Sequence, residues 1–590
     1  MATRGGAAHV VTTRRHYNGK VYESHLLRRS YRKDGKVLSE TLGNLSHLPA
    51  DVIEMIRRAL RGETFTSTGE SFDIVRSLPH GHVAAVLGTL RNLELDHVIA
   101  SRPSRERDLI VAMTVARIIE PASKLATARG LGDETQFSSL AKTLGIESAD
   151  EDELYAAMDW LGDRQSHIEK QLASRQLSAG AVILYDLTSV RYTGTECPIA
   201  MRGRQDREGR KRYLQIAFGL VCNAEGCPIA VEVFKGNISD AKTLGAQVRK
   251  VTETYGINRV IIVGDRGIVT DSVIRGELSQ VDGLRWVGAL RAPTIRQLVR
   301  DKSIQMSLFD DRDLAEITSP DFPNERLVVC RNPYLAEERA RVREELLKAT
   351  EKDLDDIAAA TRRAVRPLRG KDKIGVRVGK VINKHKVSKH FVLKITTRCF
   401  SYTRNESKIA EEAAVDGVYV IRTNIAKAEL SAEDTVRTYK DLAVVERAFR
   451  CMKNLDLKVR PIHHRLENRV RAHVFLCMLA YYVEWHMRKA LTSMTFTEED
   501  PEWAESLRDS VVAPAKRSPM AEIKDQSKRT TDNCPAHSFQ TLLKDLGTIT
   551  LNRIRPKAAG TNASAEFDMV TTPTPLQQRA LDLLGVKLSL

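Results

Sequence analysis

The chain of 590 residues carries 92 Lys+Arg against 76 Asp+Glu, a formal charge of +16 that points to a polyanionic partner. With 14 Phe, 14 Tyr and 4 Trp it is too poor in aromatics for a surface made mainly of base-stacking platforms, so basic patches that follow phosphates are expected instead. Scattered cysteines without a C-x-x-C pair exclude a disulfide framework and a zinc site, and the absence of an apolar leader or of a run near the ~20 residues of a membrane helix points to a cytoplasmic protein with no membrane partner.

Basic residues crowd the first 36 positions, where two alternating segments, Lys20 to Tyr31 and Val37 to Leu42, flank Lys33-Asp34-Gly35-Lys36 and predict a hairpin. From Ala50 to about Gln176 the apolar spacing turns helical. Short helices with basic faces suit DNA binding, and an all-helical packing domain is the alternative. Ala181 to Asp186 then reads as a fully buried strand, followed by strands at Tyr213 to Cys222 and Pro228 to Phe234, a helix capped by Ser239-Asp240 and running to Tyr255, and a fourth strand at Val260 to Val263. This is an α/β pattern with acids at the ends of its first and fourth strands, where such sheets place their sites.

After Arg291 the character changes. Leu335 to Arg366 is a charge-laced helical stretch, and Lys371 to His390 carries seven Lys/Arg against Asp372 among β-type residues Val376, Val378 and Val381, which predicts a basic β segment facing phosphate. Gly417 to Thr423 returns to strand character and Ala432 to Leu455 is helical, with Tyr439, Glu446, Arg450 and Lys453 on one face. The tail from Thr492 is polar, proline-broken and holds short helices.

Asp186, Asp265 and Glu446 form the candidate site. Phosphodiester cleavage needs an activated nucleophile, an in-line leaving oxygen and a sink for developing charge. Two divalent ions supply all three, and carboxylates fixed by rigid elements are the ligands that hold them. Each residue also has an ordinary reading: a strand-end Asp caps turns, and Glu446 pairs with Arg450 at i,i+4. Asp240 reads as a helix cap in preference to a metal ligand, Trp286 as a core residue in preference to a base-stacking ring near a cleaved end, and His463-His464 as a basic loop touching phosphate or another segment in preference to metal ligands.

In combination, Tyr185-Asp186-Leu-Thr-Ser189, Gly264-Asp265-Arg266-Gly267 and Tyr439 with Glu446 and Lys453 resemble the three boxes of the DDE transposases of bacterial insertion sequences, most nearly the IS1634 group related to the IS4 class, over residues 175 to 485. One box departs from the pattern: Leu442 stands where the family has Arg, leaving that role to Arg447 or Arg450. The resemblance implies an RNase H-like mixed-sheet catalytic core interrupted by an inserted α+β, β-rich domain, with a mainly helical N-terminal region and a small helical C-terminal one. The expected divisions are a basic hairpin region (1–49), a helical DNA-binding region (50–176), the core (177–290 and 417–490), the insertion (291–416) and the C-terminal helices (491–590).

The same resemblance implies two Mg²⁺, replaceable by Mn²⁺, on Asp186, Asp265 and Glu446, with Tyr439, Lys453, Arg450, Arg266 and Trp286 against DNA. The partners are the element's terminal inverted repeats and target DNA, bound by a homodimer associated with the bacterial nucleoid. The expected activity is cleavage at the element ends and transfer of the 3′-hydroxyls to target DNA. The alternatives are a transposase-derived DNA-binding protein without catalysis and, more remotely, a phosphatase-like enzyme with Asp186 as nucleophile.

Overall fold

The structure is a computed structural model and describes residues 7–33, 35–63, 65, 72–203, 213–257, 259–309, 312–556 and 566–588. The chain divides into two compact units, Met1–Ser77 with Asn552–Met569, and Leu78–Leu551 with Val570–Leu590.

In the first unit the predicted hairpin is present as Lys20–Lys33 paired antiparallel with Lys36–Asn44; its turn residue Asp34 lies outside the described residues. Ala8–Tyr17 adds a third strand, and helix Ala50–Leu60 follows, with Ile53 buried. The helical reading from Ala50 onward breaks at Phe72–Pro79, a strand in a sheet with Thr550–Pro556 and Phe567–Val570. Its partner lies at the far end of the chain, which no local pattern could reveal.

The second unit is built on a nine-stranded sheet. Its order is Leu314–Ile317, Arg326–Arg331, Val418–Thr423, Arg285–Ala289, Val260–Gly264, Ala181–Arg191, Leu214–Asn223 and Met201–Arg202, with Pro228–Lys235 also paired to Leu214–Asn223. Setting aside the two-residue strand Met201–Arg202, the five strands between residues 181 and 289, numbered along the chain, lie in the order three, two, one, four, five. The first, fourth and fifth are parallel and the second and third antiparallel to their neighbours. This is the RNase H-like core, flanked by helices. Val182, Ile183 and Leu184 pair with Ile261, Ile262 and Val263 in the middle of the sheet, which explains why both runs are apolar on both faces.

One layer over the sheet is helical. Glu467–Ala490 is buried along most of its length and packs against Arg105–Ile119, Glu151–Gln176 and the strand Pro228–Lys235. The run Val474 to Val483 is therefore a core helix, and no helix among the described residues is long and apolar enough to cross a membrane. Glu151–Gln176 starts with a capping box between Asp150 and Glu153, and the Asp/Glu of its first turn suits the helix dipole. It is tied to the sheet by Glu169, 0% exposed, which accepts from the Val231 amide (3.1 Å), Gln165 (2.8 Å) and the Tyr255 hydroxyl (3.0 Å) and pairs with Lys250 at 2.5 Å.

The region after Arg291 has two parts. Leu314–Ile317 and Arg326–Arg331 extend the core sheet through Val418–Thr423. Helices Pro333–Arg362 and Lys371–His385 with the hairpin Phe391–Ile395/Phe400–Arg404 form a separate cluster with its own apolar core. Helix outweighs strand here, contrary to the β-rich expectation. The basic segment expected as β at Lys371 is a helix because Ile374, Val378 and Ile382, spaced by four, are its buried face, while Val376, which suggested alternation, is exposed.

Candidate active site

Asp186 is not the end of its strand. Ala181–Arg191 continues past it, pairing Asp186 with Leu220, while the parallel neighbour stops at the pair Tyr185–Gly264. The rim is thus made by the ending of Val260–Gly264, and Asp265 leaves that strand directly beside Asp186. Asp265 Oδ1 accepts from the amides of Gly267 (2.8 Å) and Ile268 (3.0 Å), so one of its oxygens does the turn-capping expected of a strand-end Asp while the carboxylate stays at the rim.

The third acid comes from a broken helix. The single helix expected from Ala432 to Leu455 is Ala432–Lys440, Leu442–Arg450 and a wider π-turn Cys451–Leu455. Glu446 is exposed and makes no hydrogen bond or ion pair among the described residues, so the i,i+4 pair with Arg450 is not formed. Leu442 packs partly buried against the core, and Arg447 and Arg450 are exposed beside it in sequence.

The electrostatics join these elements. Burial raises Asp186 to about 7; the Leu187 amide on its Oδ1 (2.8 Å) opposes this, and the neighbouring charges of Asp265, Glu446 and Asp240 add to it. Tyr439 is pushed up to about 12 by burial, then by Asp265, with Asp186 and Glu446 also within reach and Arg266 opposing. Lys453 is lowered to about 8 by burial and by Arg460, against the pull of Asp186, and its Nζ donates to Thr188 Oγ1, two residues beyond Asp186 on the strand. The arrangement is a cluster of carboxylates edged by Tyr439, Lys453 and Arg266.

Asp240 belongs with this cluster, contrary to its reading as a helix cap. The helix expected from Ser239 to Tyr255 is a 3₁₀ turn Asp240–Lys242, a short helix Leu244–Arg249 and a π-turn Lys250–Thr254, and Ser239 makes no side-chain cap. A Cβ at Gly267 would lie 3.2 Å from Asp265 Oδ1 and 3.3 Å from Asp240 Oδ2, so the two carboxylates flank this glycine. Only the folding back of residues 236–240 brings Asp240 there, and a local motif could not signal it.

Trp286 does not present its ring to DNA. It is 2% exposed in the core under the sheet, with the Arg422 guanidinium 5.5 Å from its ring centroid. Its neighbours on both sides are sheet strands, which favours a packed ring over a stacking platform.

A second acidic group forms a candidate metal cluster. Ligand atoms of Cys451, Asp456 and Glu484, all buried, lie within 4.8 Å of one another. Arg488 already bridges it, 2.9 Å from Asp456 and 2.6 Å from Glu484, and Gln540 donates to the other Asp456 oxygen at 3.0 Å. The guanidinium supplies the positive charge this group needs, and a thiol is a poor ligand for a hard cation.

A sheet in this strand order, with Asp186 on its first strand beside Asp265 just past the end of its fourth, defines an RNase H-like protein. The chain belongs to the family of the transposase DDE domain, which matches residues 178–483, more than half its length. It is accordingly an enzyme of that class. Residues 10–70 match the N-terminal domain of IS1634 family transposases. No curated protein matches. Among solved structures, seven chains match; one is a cryo-EM structure of the piggyBac transposase synaptic complex with hairpin DNA, at 10% identity over 79% of this chain and 76% of that chain with a TM-score of 0.31.

Proposed function

We propose that this transposase binds the terminal inverted repeats of an insertion sequence, cuts DNA at the element ends and joins the freed 3′-hydroxyls to target DNA, with Asp186, Asp265 and Glu446 as its catalytic carboxylates. The observation that carries the reading is the convergence of these three acids, distant in sequence, on one rim of the sheet. Asp186 is held near neutrality by burial and by the charges around it, a state that a divalent cation would relieve.

The donor set fits Mg²⁺ or Mn²⁺. All ligand atoms are carboxylate oxygens, Asp265 uses only Oδ1 in its turn, and Glu446 has no competing cation among the described residues. A bound pair of ions would supply nucleophile activation and charge stabilisation at the transferring phosphate. The protein's own part is positioning: strand backbone fixes Asp186, the turn at Gly267 fixes Asp265, and the helix Leu442–Arg450 carries Glu446 across the rim. Tyr439, Lys453, Arg266 and Arg450 would meet the DNA backbone around the scissile bond, with the Lys453 ammonium beside Thr188 able to donate to a phosphate oxygen. Two element ends must be brought together, so a homodimer is the expected working form.

The test is cleavage of a duplex carrying the DNA that flanks this gene, in Mg²⁺ or Mn²⁺. Wild type should nick at the element end and Asp265→Ala should lose essentially all activity. Cleavage retained by Asp265→Ala would remove the assignment. Binding without nicking by wild type in either metal would instead identify a DNA-binding protein without catalysis.

A further inference from the structure

The strongest unexplained feature of the second unit is a cavity of about 250 Å³ on the helical side, bordered by Arg117, Lys124, Lys458 and Arg460 with Tyr155 and three histidines, and by no carboxylate. Lys124 is 4% exposed and has neither a carboxylate nor a hydrogen-bond acceptor among the described residues. Arg117, also buried, reaches only a backbone carbonyl, that of Ala122 at 3.2 Å. Buried cations are normally paired, and breaking such a pair is strongly destabilising because the remaining charge is uncompensated.

The backbone makes the imbalance greater. Lys124 is the first residue of the helix Lys124–Leu131, capped by Ser123, whose Oγ accepts from the Ala126 amide at 3.2 Å. A helix N-terminus carries partial positive charge, so a lysine there opposes the dipole and an anion suits it. Burial, followed by Arg117, lowers Lys124 to about 7, so near neutral pH it is only partly charged and an anion beside it would restore its proton; helix dipole, Lys124 and Arg117 together favour negative charge in one concave place. The histidines do not add to the positive charge. Burial, followed by Lys124 and Arg117, lowers His464 to about 3 and His473 well below its ordinary value, so both rings are neutral. A neutral ring can donate a hydrogen bond without a counter-charge, which leaves His464 able to serve an anion, whereas His473 spends its single N–H on the Val459 carbonyl (Nε2, 3.1 Å) and offers the cavity no donor.

The pocket connects to the acids. The strand that holds Asp186 runs on to Tyr192, whose hydroxyl donates to the His464 carbonyl (3.1 Å), and the amides of Thr193 and Gly194 both donate to the Ile462 carbonyl (3.0 Å), so the loop lining the cavity is bonded to the end of that strand. We propose that this cavity is a phosphate pocket that holds one backbone phosphate of the DNA strand engaged at the carboxylate rim. The volume admits roughly eight waters at ~30 Å³ each, enough for a phosphodiester group with its hydration but too little for a stacked base pair. This inference rests on DNA being the substrate, and it assigns to Lys124 and the His463-His464 loop a role outside the three sequence boxes.

The test compares wild type, Lys124→Met and Lys458→Met for binding of a labelled mixed-sequence DNA duplex in Ca²⁺ across a salt series, with thermal unfolding of each protein in the presence and absence of inorganic phosphate. Lys124→Met should weaken duplex binding about tenfold and lower the magnitude of the salt slope by about 0.9, one phosphate contact. It should unfold no earlier than wild type, because it removes an unpaired buried cation. Inorganic phosphate should raise the unfolding temperature of wild type and not that of Lys124→Met. Lys458→Met, at the exposed rim where folding is not at stake, should weaken binding about threefold and serves should the buried variant unfold. The proposal is overturned if wild type binds duplex and both variants match it in affinity and slope. If phosphate protects wild type through Lys124 while duplex affinity is unchanged in the variants, the pocket takes a free anion and the DNA assignment is overturned. A wild type that binds no duplex refutes the DNA reading itself, a result the variant comparison keeps separate from failure of the pocket.

Discussion

Removing the charge of Asp186 should stabilise the metal-free protein. Its folded-state value of about 7 against an ordinary 3.8 sets a ceiling of about 4 kcal/mol on the cost of the charged form. The carboxyl is partly open to solvent and keeps the Leu187 amide, so about 2 kcal/mol is expected. The sign follows from a raised acid: stability is fully present below the unfolded value near 4, is lost as pH rises through the folded value near 7, and is flat beyond it. Without divalent metal, Asp186→Asn and wild type should therefore unfold together at pH 4 and separate by a few degrees at pH 8, the variant being the more stable. Saturating Mg²⁺ or Mn²⁺ at pH 8 should raise the wild type, by about 2.7 kcal/mol at a hundredfold excess over Kd, and leave the variant nearly unmoved. Differential scanning fluorimetry across pH with and without metal reads both effects. A stability gap independent of pH, or a wild type more stable than Asp186→Asn at pH 8 without metal, would refute the account of crowded, desolvated acids.

Glu169→Ala should cost about 3–5 kcal/mol in urea unfolding, because it leaves Lys250 buried and the Val231 amide and Tyr255 hydroxyl without their shared acceptor; a loss under about 1 kcal/mol would mean the network closes over the gap. Glu484→Gln should leave Mn²⁺ stoichiometry in calorimetric titration unchanged while Asp265→Ala reduces it, since Arg488 already neutralises the buried Cys451/Asp456/Glu484 group; the opposite pattern would make that group the metal site. With some 6–10 phosphates contacted, DNA affinity should fall about 10³–10⁵ between roughly 50 and 200 mM salt, and a flat response in fluorescence anisotropy would count against binding through basic patches.

The sequence makes the rim acids legible because strand burial is a local property: Val182 to Tyr185 and Val260 to Gly264 are apolar runs whose ends announce Asp186 and Asp265. Glu446 is legible only through its spacing from Tyr439 and Lys453, and the break of that helix at Asp441 leaves no mark in the pattern. What depends on chain reversal is hidden. Asp240 reaches the cluster through a fold-back beside Gly267, and Phe72–Pro79 finds its partner at residues 550–556. The Lys371–His385 error has a different origin: Val376, Val378 and Val381 satisfy a short alternating pattern, while the spacing Ile374, Val378, Ile382 that governs packing needs a longer window. Lys124 carries no local signal, because burial without a partner is a property of three dimensions alone.

Val418–Thr423 lies between Arg285–Ala289 and Arg326–Arg331, so the middle of the sheet closes only when this late strand arrives. During synthesis the outer edge of Arg285–Ala289 waits for roughly 130 further residues, about 7–26 s at 5–20 residues per second. Through that interval the nascent chain presents an apolar, unpaired β-edge to whatever surrounds the ribosome. Slowing elongation between codons 290 and 418 should therefore lengthen the exposure and lower the fraction of the protein recovered soluble.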